Sequence, residues 1–234
     1  MGDFAEAFHT AGRLILEGDP TLIAIVLLSI RVSLTAVVLA AVIGLPLGAA
    51  LALARFPGRS ALVILTNACM GFPPVVAGLA FYLLLSRAGP LGSWGLLFTP
   101  GAMIAVQCTL VTPIIAALAR QTIADLWIDY AEQLKSLGAG RIRAAFTLLW
   151  DARLSLGTAV LAGFGRASAE VGAIIIVGGN ISGYTRTMTT AIALETSKGD
   201  LSLALGLGFI LLVLTLIVNC AVQLASEMLR HRAG

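Results

Sequence analysis

Of the chain's 234 residues, 59% are apolar and 12% charged, against roughly 25% charged in a soluble globular domain. No water-compatible surface can be built from that composition, so soluble enzymes and soluble binding modules are excluded. The net charge of +3 is no sign of nucleic acid, because the basic residues stand mostly between apolar stretches, where they set membrane topology.

Phe4, Phe8, Ala11, Leu14 and Ile15 share one helical face, and Gly18, Asp19 and Pro20 end the pattern. Residues 1–20 therefore predict a short interfacial helix. Asp3, Glu6, Glu17 and Asp19 against Arg13 are not the basic lead of a signal peptide, so the first span is expected to stay in the mature chain. That span, residues 22–54, exceeds the roughly 20 residues a bilayer needs. Tilt or a break is expected near Gly44, Pro46 and Gly48.

The second span, 61–85, contains Gly71, Phe72, Pro73, Pro74 and Gly78. Two adjacent prolines remove backbone donors and must bend or unwind the helix. Freed backbone at membrane depth has to pack against protein or line a wet cavity, so Pro73 and Pro74 are either a plain kink or part of a path. A Gly- and Ser-rich turn at 89–94 leads to a third span at 100–118, where Pro113 is a further kink candidate.

The stretch 120–153 holds nine of the 27 acidic and basic residues and is too charged to span. Ile123, Leu126, Trp127, Tyr130, Leu134 and Leu137 recur every three or four positions, which predicts an amphipathic helix ending at Gly138-Ala139-Gly140. A second short helix is expected with Ile142, Phe146 and Leu149 on one face. A fourth span at 154–177, an external loop at 178–200 and a fifth span at 201–224 complete the chain.

The reading is all-α: a polytopic membrane protein of about five transmembrane helices, one domain over 1–234. Nine basic residues in one set of loops against four in the other put 120–153 inside, the N-terminus outside and the C-terminus in the cytoplasm. Cys69, Cys108 and Cys220 each lie in an apolar run without metal-ligand spacing and are expected to be buried small apolar residues.

Two constellations stand out. The first, Glu132-Gln133-Leu134-Lys135-Ser136-Leu137-Gly138-Ala139, resembles the loop that permeases of binding-protein-dependent ABC importers present to their ATPase. In both, a Glu stands six positions before a Gly. It departs from the family at Gln133 and Leu134, where alanines are usual, and at Trp150-Asp151, where many members have Leu-Pro. The resemblance implies a cytoplasmic coupling-helix hairpin at 120–153, with Glu132, Gln133, Leu134, Gly138 and Ala139 at the ATPase contact.

The second runs from Gly163 to Ile181 and includes Arg166 and Glu170. A charge in a span is costly unless paired or wet, and four residues apart on a helix these two can face each other on one turn. Mutual neutralisation and a place beside the translocation path are both compatible with the pair. The stretch resembles tungstate importer permeases through Arg166, Glu170, Val171, Gly172, the Val177-Gly178-Gly179-Asn180-Ile181 run, Tyr184-Thr185-Arg186, Thr189-Thr190-Ala191-Ile192 and Glu195-Thr196-Ser197-Lys198-Gly199-Asp200. Residues 29–35 and Pro73-Pro74-Val75-Val76-Ala77-Gly78 resemble the same family. Molybdate permeases share the proline pair and the Glu170-type helix but not the loop motifs.

The resemblance implies a homodimer in the bacterial inner membrane, in contact with lipid, a cytoplasmic ATPase dimer and an extracytoplasmic oxyanion-binding protein. It implies a path or gate at Pro73, Pro74, Arg166, Glu170 and Asn180. Neither Lys135 nor Lys198 closes a phosphate-binding loop, so ATP hydrolysis is expected in a partner chain. No catalytic residue, metal site or cofactor is expected either, since His9 and His231 stand at opposite ends and no Gly-x-Ser-x-Gly elbow is present. The rivals are an ion-gradient-driven transporter, which the odd span count fits poorly, and a membrane-embedded enzyme whose only visible chemical groups would be Glu170 and Ser168.

Overall fold

The computed structural model describes residues 20–233. Among them run nine α-helices and no strands: α1 Pro20–Leu53, α2 Arg59–Met70, α3 Pro74–Leu85, α4 Pro100–Ser136, α5 Arg141–Asp151, α6 Arg153–Ser168, α7 Gly172–Gly178, α8 Met188–Lys198 and α9 Leu201–Ala233, with a short 3-10 turn at Gly92–Trp94. The expected interfacial helix at 1–20 lies outside the described residues, apart from Pro20 at the start of α1. Three helices are long and apolar enough to cross a membrane, Pro20–Leu53, Pro100–Ser136 and the Leu201–Ala221 part of α9. Two interrupted pairs, α2 with α3 and α5 with α6, raise the number to as many as five.

The chain divides into two compact units. One holds residues 36–72, 108–166 and 222–234; the other holds 1–35, 73–107 and 167–221.

In the first unit, α1 does not break at Gly44–Gly48 as its length and composition suggest; it runs on through Pro46. The glycines serve close packing instead. A Cβ added at Gly44 would stand 3.0 Å from the Thr112 carbonyl oxygen, and one at Gly48 would stand 2.5 Å from that of Ala116 and 2.7 Å from the Ala119 Cβ. Small residues four apart let two helix backbones touch, which is how helices associate where water supplies no hydrophobic drive. α4 likewise passes unbroken from its apolar half into the charged stretch, because only polarity changes near residue 118 and no breaker stands there. Ala49, Leu53, Ala119, Ile123, Ala144, Leu148, Ala152 and Leu156 form this unit's core, with Leu126, Trp127 and Leu134 packed on it.

As expected, Ile142, Phe146 and Leu149 of α5 share a face, lining one groove. Ala144 and Leu148 are buried, whereas Ile142 and Phe146 are 75% and 71% exposed. α5 and α6 meet at Ala152 with a bend of 76°, and the Arg153 guanidinium donates to the Trp150 carbonyl at 2.8 Å, closing the end of α5.

The proline pair breaks the second span as expected. α2 ends at Gly71, Pro73 is extended, and Pro74 takes the first position of α3, where its missing N–H costs nothing. In the second unit, α3 packs on α7 so closely that a Cβ on Gly78 would lie 2.8 Å from the Ala173 Cα. The segment 178–200, expected as an external loop, contains α8, and its Met188 is fully buried in a core with Leu22, Ile25, Ala191 and Leu207. The cysteine expectation fails as well: Cys69 and Cys108 are half-buried and Cys220 is exposed.

Gly48→Ala should lower the thermal unfolding temperature in detergent. Overpacking of this kind costs about 1–3 kcal/mol, more than the roughly 1 kcal/mol that Ala gains over Gly inside a helix. Gly165→Ala, with no atom within 4 Å of the added methyl, should not lower it.

Candidate functional site

The corner between α4 and α5 is built by hydrogen bonds that only a left-handed residue permits. Gly138 has φ +69°. Its N–H donates to the Lys135 carbonyl at 3.0 Å, and the Ala139 N–H donates to the Leu134 carbonyl at 2.9 Å. This pair of bonds closes a helix C-terminus around a glycine. Nothing lies within 4 Å of a Cβ placed at Gly138, so its backbone conformation, not lack of space, requires glycine. Glu132 and Gln133 are exposed, Leu134 is half-buried against the core and Ala139 is half-buried. Leu137 is 81% exposed, and one turn apart along α5 so are Ile142, Phe146 and Trp150. The corner therefore presents Glu132 and Gln133, the basic Lys135, Arg141 and Arg143, and a row of large apolar side chains.

The other predicted residues gather around the two ends of α7. Glu170 follows the end of α6 and is 3% exposed. Its carboxylate accepts the Ala173 N–H at 3.0 Å and its carbonyl accepts the Thr189 hydroxyl at 2.9 Å. A Cβ at Gly172 would lie 2.9 Å from Val75 Cγ2 and 3.8 Å from Glu170 Oε1, so the start of α3, which Pro73 and Pro74 create, lies against the same corner as Glu170. Asn180, with φ +50°, follows the other end of α7 and donates its side-chain N–H to the Thr190 carbonyl at 3.3 Å. Both ends of α7 are thus tied to the first turn of α8.

Arg166 and Glu170 do not share a helix turn. α6 ends at Ser168 and Glu170 stands two residues beyond it; neither residue is without a partner. Arg166 sits in the last turn of α6, where positive charge complements the helix dipole.

Several site residues were not singled out from sequence. The Thr185 hydroxyl donates to the Gly178 carbonyl at 2.6 Å and accepts the Ile181 N–H at 2.9 Å. The Thr187 N–H reaches Thr190 Oγ1 at 3.0 Å, and the Met188 N–H reaches Ser29 Oγ at 2.8 Å. Gln107, 1% exposed, donates to the Ala167 carbonyl at 2.8 Å. Their signal in the sequence is the density of hydroxyls over 185–190 between apolar stretches. Among the described residues, no three His, Cys, Asp or Glu side chains gather as a metal-ligand group.

Comparison with known proteins places this arrangement in a family. A probable anion ABC transporter permease of Haloferax volcanii is 41% identical over 203 residues, covering 85% of this chain and 88% of the relative. The chain belongs to the ABC transporter permeases of anion uptake. A tungstate uptake system permease of Peptoclostridium acidaminophilum is 36% identical over 227 residues, 97% of this permease and the whole of the relative. The molybdenum transport system permease of Escherichia coli is 31% identical over 221 residues, 89% of this chain and 95% of its own. No protein-family model matches the chain.

In this permease the hydroxyl of Thr185 satisfies two backbone groups at once. Thr185→Val, of nearly the same shape, should leave both unpaired at about 1–3 kcal/mol each and lower the unfolding temperature, while Thr185→Ser should restore most of it.

Proposed function

We propose that this ABC permease carries tungstate, or a tetrahedral oxyanion of the same kind such as molybdate, inward across the bacterial inner membrane. It would act as one half of a homodimer, with residues 1–234 working as one permease domain. The N-terminus lies outside and the C-terminus in the cytoplasm. An extracytoplasmic binding protein delivers the anion, and a cytoplasmic ATPase dimer hydrolyses ATP.

The observation that carries the reading is the glycine-capped corner at 132–139. It offers an ATPase the exposed polar side chains of Glu132 and Gln133 beside the exposed apolar row of Leu137, Ile142, Phe146 and Trp150. Large apolar side chains left exposed next to charged residues mark contact surfaces. The corner continues α4 without a break, so a push at the ATPase travels along one rigid helix. Leu134 and Ala139 hold the corner to the helix and Gly138 sets its angle. Closure of the ATPases then moves the corners and switches the path between inward-open and outward-open arrangements.

The path itself is assigned to the second unit. Pro73 and Pro74 free the start of α3, and Glu170 and Asn180 hold the two ends of α7 beside it. Exposed side chains such as Val42, Ile64, Leu83 and Leu212 are covered by lipid and by the second copy.

The test is reconstitution of the permease with its ATPase and binding protein in vesicles. Tungstate uptake that requires ATP and is inhibited by molybdate is expected; uptake driven by an ion gradient without the ATPase contradicts the reading. Glu132→Lys should weaken co-purification of the ATPase at physiological salt. Gly138→Val should cut uptake by about tenfold or more, because a β-branched residue at positive φ is strained, with membrane insertion unchanged. Gly138→Asn, which tolerates that conformation, should retain most of the uptake.

A further inference from the structure

The second unit holds an open cavity of about 390 Å³ between the start of α1 and the segment 182–186. Thr21, Ala24 and Leu28 form one wall, and Ser182, Tyr184 and Arg186 the other. Among the described residues, none that lines it is acidic. The Nε of Arg186 is buried and has no hydrogen-bond partner. A guanidinium is permanently charged and offers a fixed fork of donors, so the place of Arg186 in the lining sets positive charge beside that space.

The position of Arg186 is set by its neighbours. Its N–H donates to the Ile181 carbonyl at 3.0 Å. Thr185, immediately before it, is fully buried and bonded to both Gly178 and Ile181. The cation is therefore held at the cavity by rigid backbone. Three hydroxyls, those of Thr21, Ser182 and Tyr184, stand among the lining side chains, and the first turn of α1 adds the positive end of a long helix dipole. One permanent cation and several hydroxyl donors, with no carboxylate among the described lining residues, make a site for a fully deprotonated anion with acceptor oxygens on every side.

We infer that this cavity binds a tetrahedral oxyanion, with Arg186 as its charge partner and the hydroxyls of Ser182 and Tyr184 as further donors. The inference rests on the reading of the chain as an oxyanion importer and gives that function a specific receiving point. On the proposed topology both walls belong to the outer half of the permease, where an anion released by the binding protein arrives. A phosphate headgroup of an anionic lipid offers the same chemistry, and the experiment separates the two sources.

The full-length permease is placed in phosphatidylcholine nanodiscs and dialysed against sodium tungstate, and bound tungsten is measured by mass spectrometry. Saturable binding is expected, weakened about tenfold or more by Arg186→Gln and kept in part by Arg186→Lys. Equal binding by wild type and Arg186→Gln overturns the inference, as does absence of saturable binding in the wild type. Should Arg186→Gln fail to fold, the double change Ser182→Ala with Tyr184→Phe decides: weaker binding by about threefold or more supports the site, and unchanged binding overturns it. In nanodiscs containing phosphatidylglycerol, tungstate that still binds in an Arg186-dependent way supports the free anion. Arg186-dependent retention of phosphatidylglycerol with no such tungstate binding assigns the cavity to lipid and overturns the proposal. ATP-driven uptake by the reconstituted wild-type transporter is measured in parallel. Its absence strikes at the functional reading itself, whereas normal uptake with Arg186-independent binding strikes at the cavity alone.

Discussion

A peptide group that leaves a helix inside a membrane-spanning chain has no water to bond to and must find its partner within the protein. The second unit of this permease meets that constraint with side chains placed beside each break. After α6, the Glu170 N–H returns to the Ala167 carbonyl, which also takes the Gln107 amide. The Glu170 carboxylate then receives an N–H of α7. Beyond α7, Thr185 serves Gly178 and Ile181, Thr190 serves Thr187, and Ser29 serves Met188. An irregular segment can therefore sit among apolar helices and remain in one conformation, which a path or gate for ions requires.

The first unit answers a different demand. It is organised by close backbone contact, with Gly44 and Gly48 of α1 against α4 and Gly163 of α6 against Val111 and Ile115, around a core made largely of alanine and leucine. Such close backbone packing leaves little room for rearrangement. At its end the Gly138 corner turns the chain and exposes its apolar row. One unit is thus held by close backbone contact and the other by side-chain hydrogen bonds at its helix breaks.

Much of this was legible in the sequence where a local signal has a single physical meaning. Pro73-Pro74 can only end one helix and start another, Gly138 after a polar amphipathic run can only close a helix, and long uncharged stretches can only span. Signals with two meanings misled. Gly44, Pro46 and Gly48 read as a break because the same small residues that loosen a helix also let two helices touch. The shared face of Ile142, Phe146 and Leu149 was legible but its exposure was not: the narrow space beside Ala49 and Ala119 accepts Ala144 and Leu148, and with apolar residues on both faces of α5 periodicity does not say which is buried. The break at 169–171 contains neither Gly nor Pro to announce it. α8 was missed because its burial depends on Leu22, Ile25 and Leu207, partners distant in sequence. The hydroxyls that hold the site were visible only as family likeness, since a threonine's hydrogen-bond partner cannot be read from its neighbours.

The account depends most on the claim that 169–187 is irregular but held. Hydrogen exchange of the permease in nanodiscs, followed by mass spectrometry on peptides from that stretch, tests it directly. Protection of the Ala173, Ile181, Thr187 and Met188 amides approaching that of α8, and loss of that protection over 178–181 in Thr185→Val, is the predicted result. Exchange of all four amides as fast as the exposed turn at 55–58, with Thr185→Val making no difference, would contradict it.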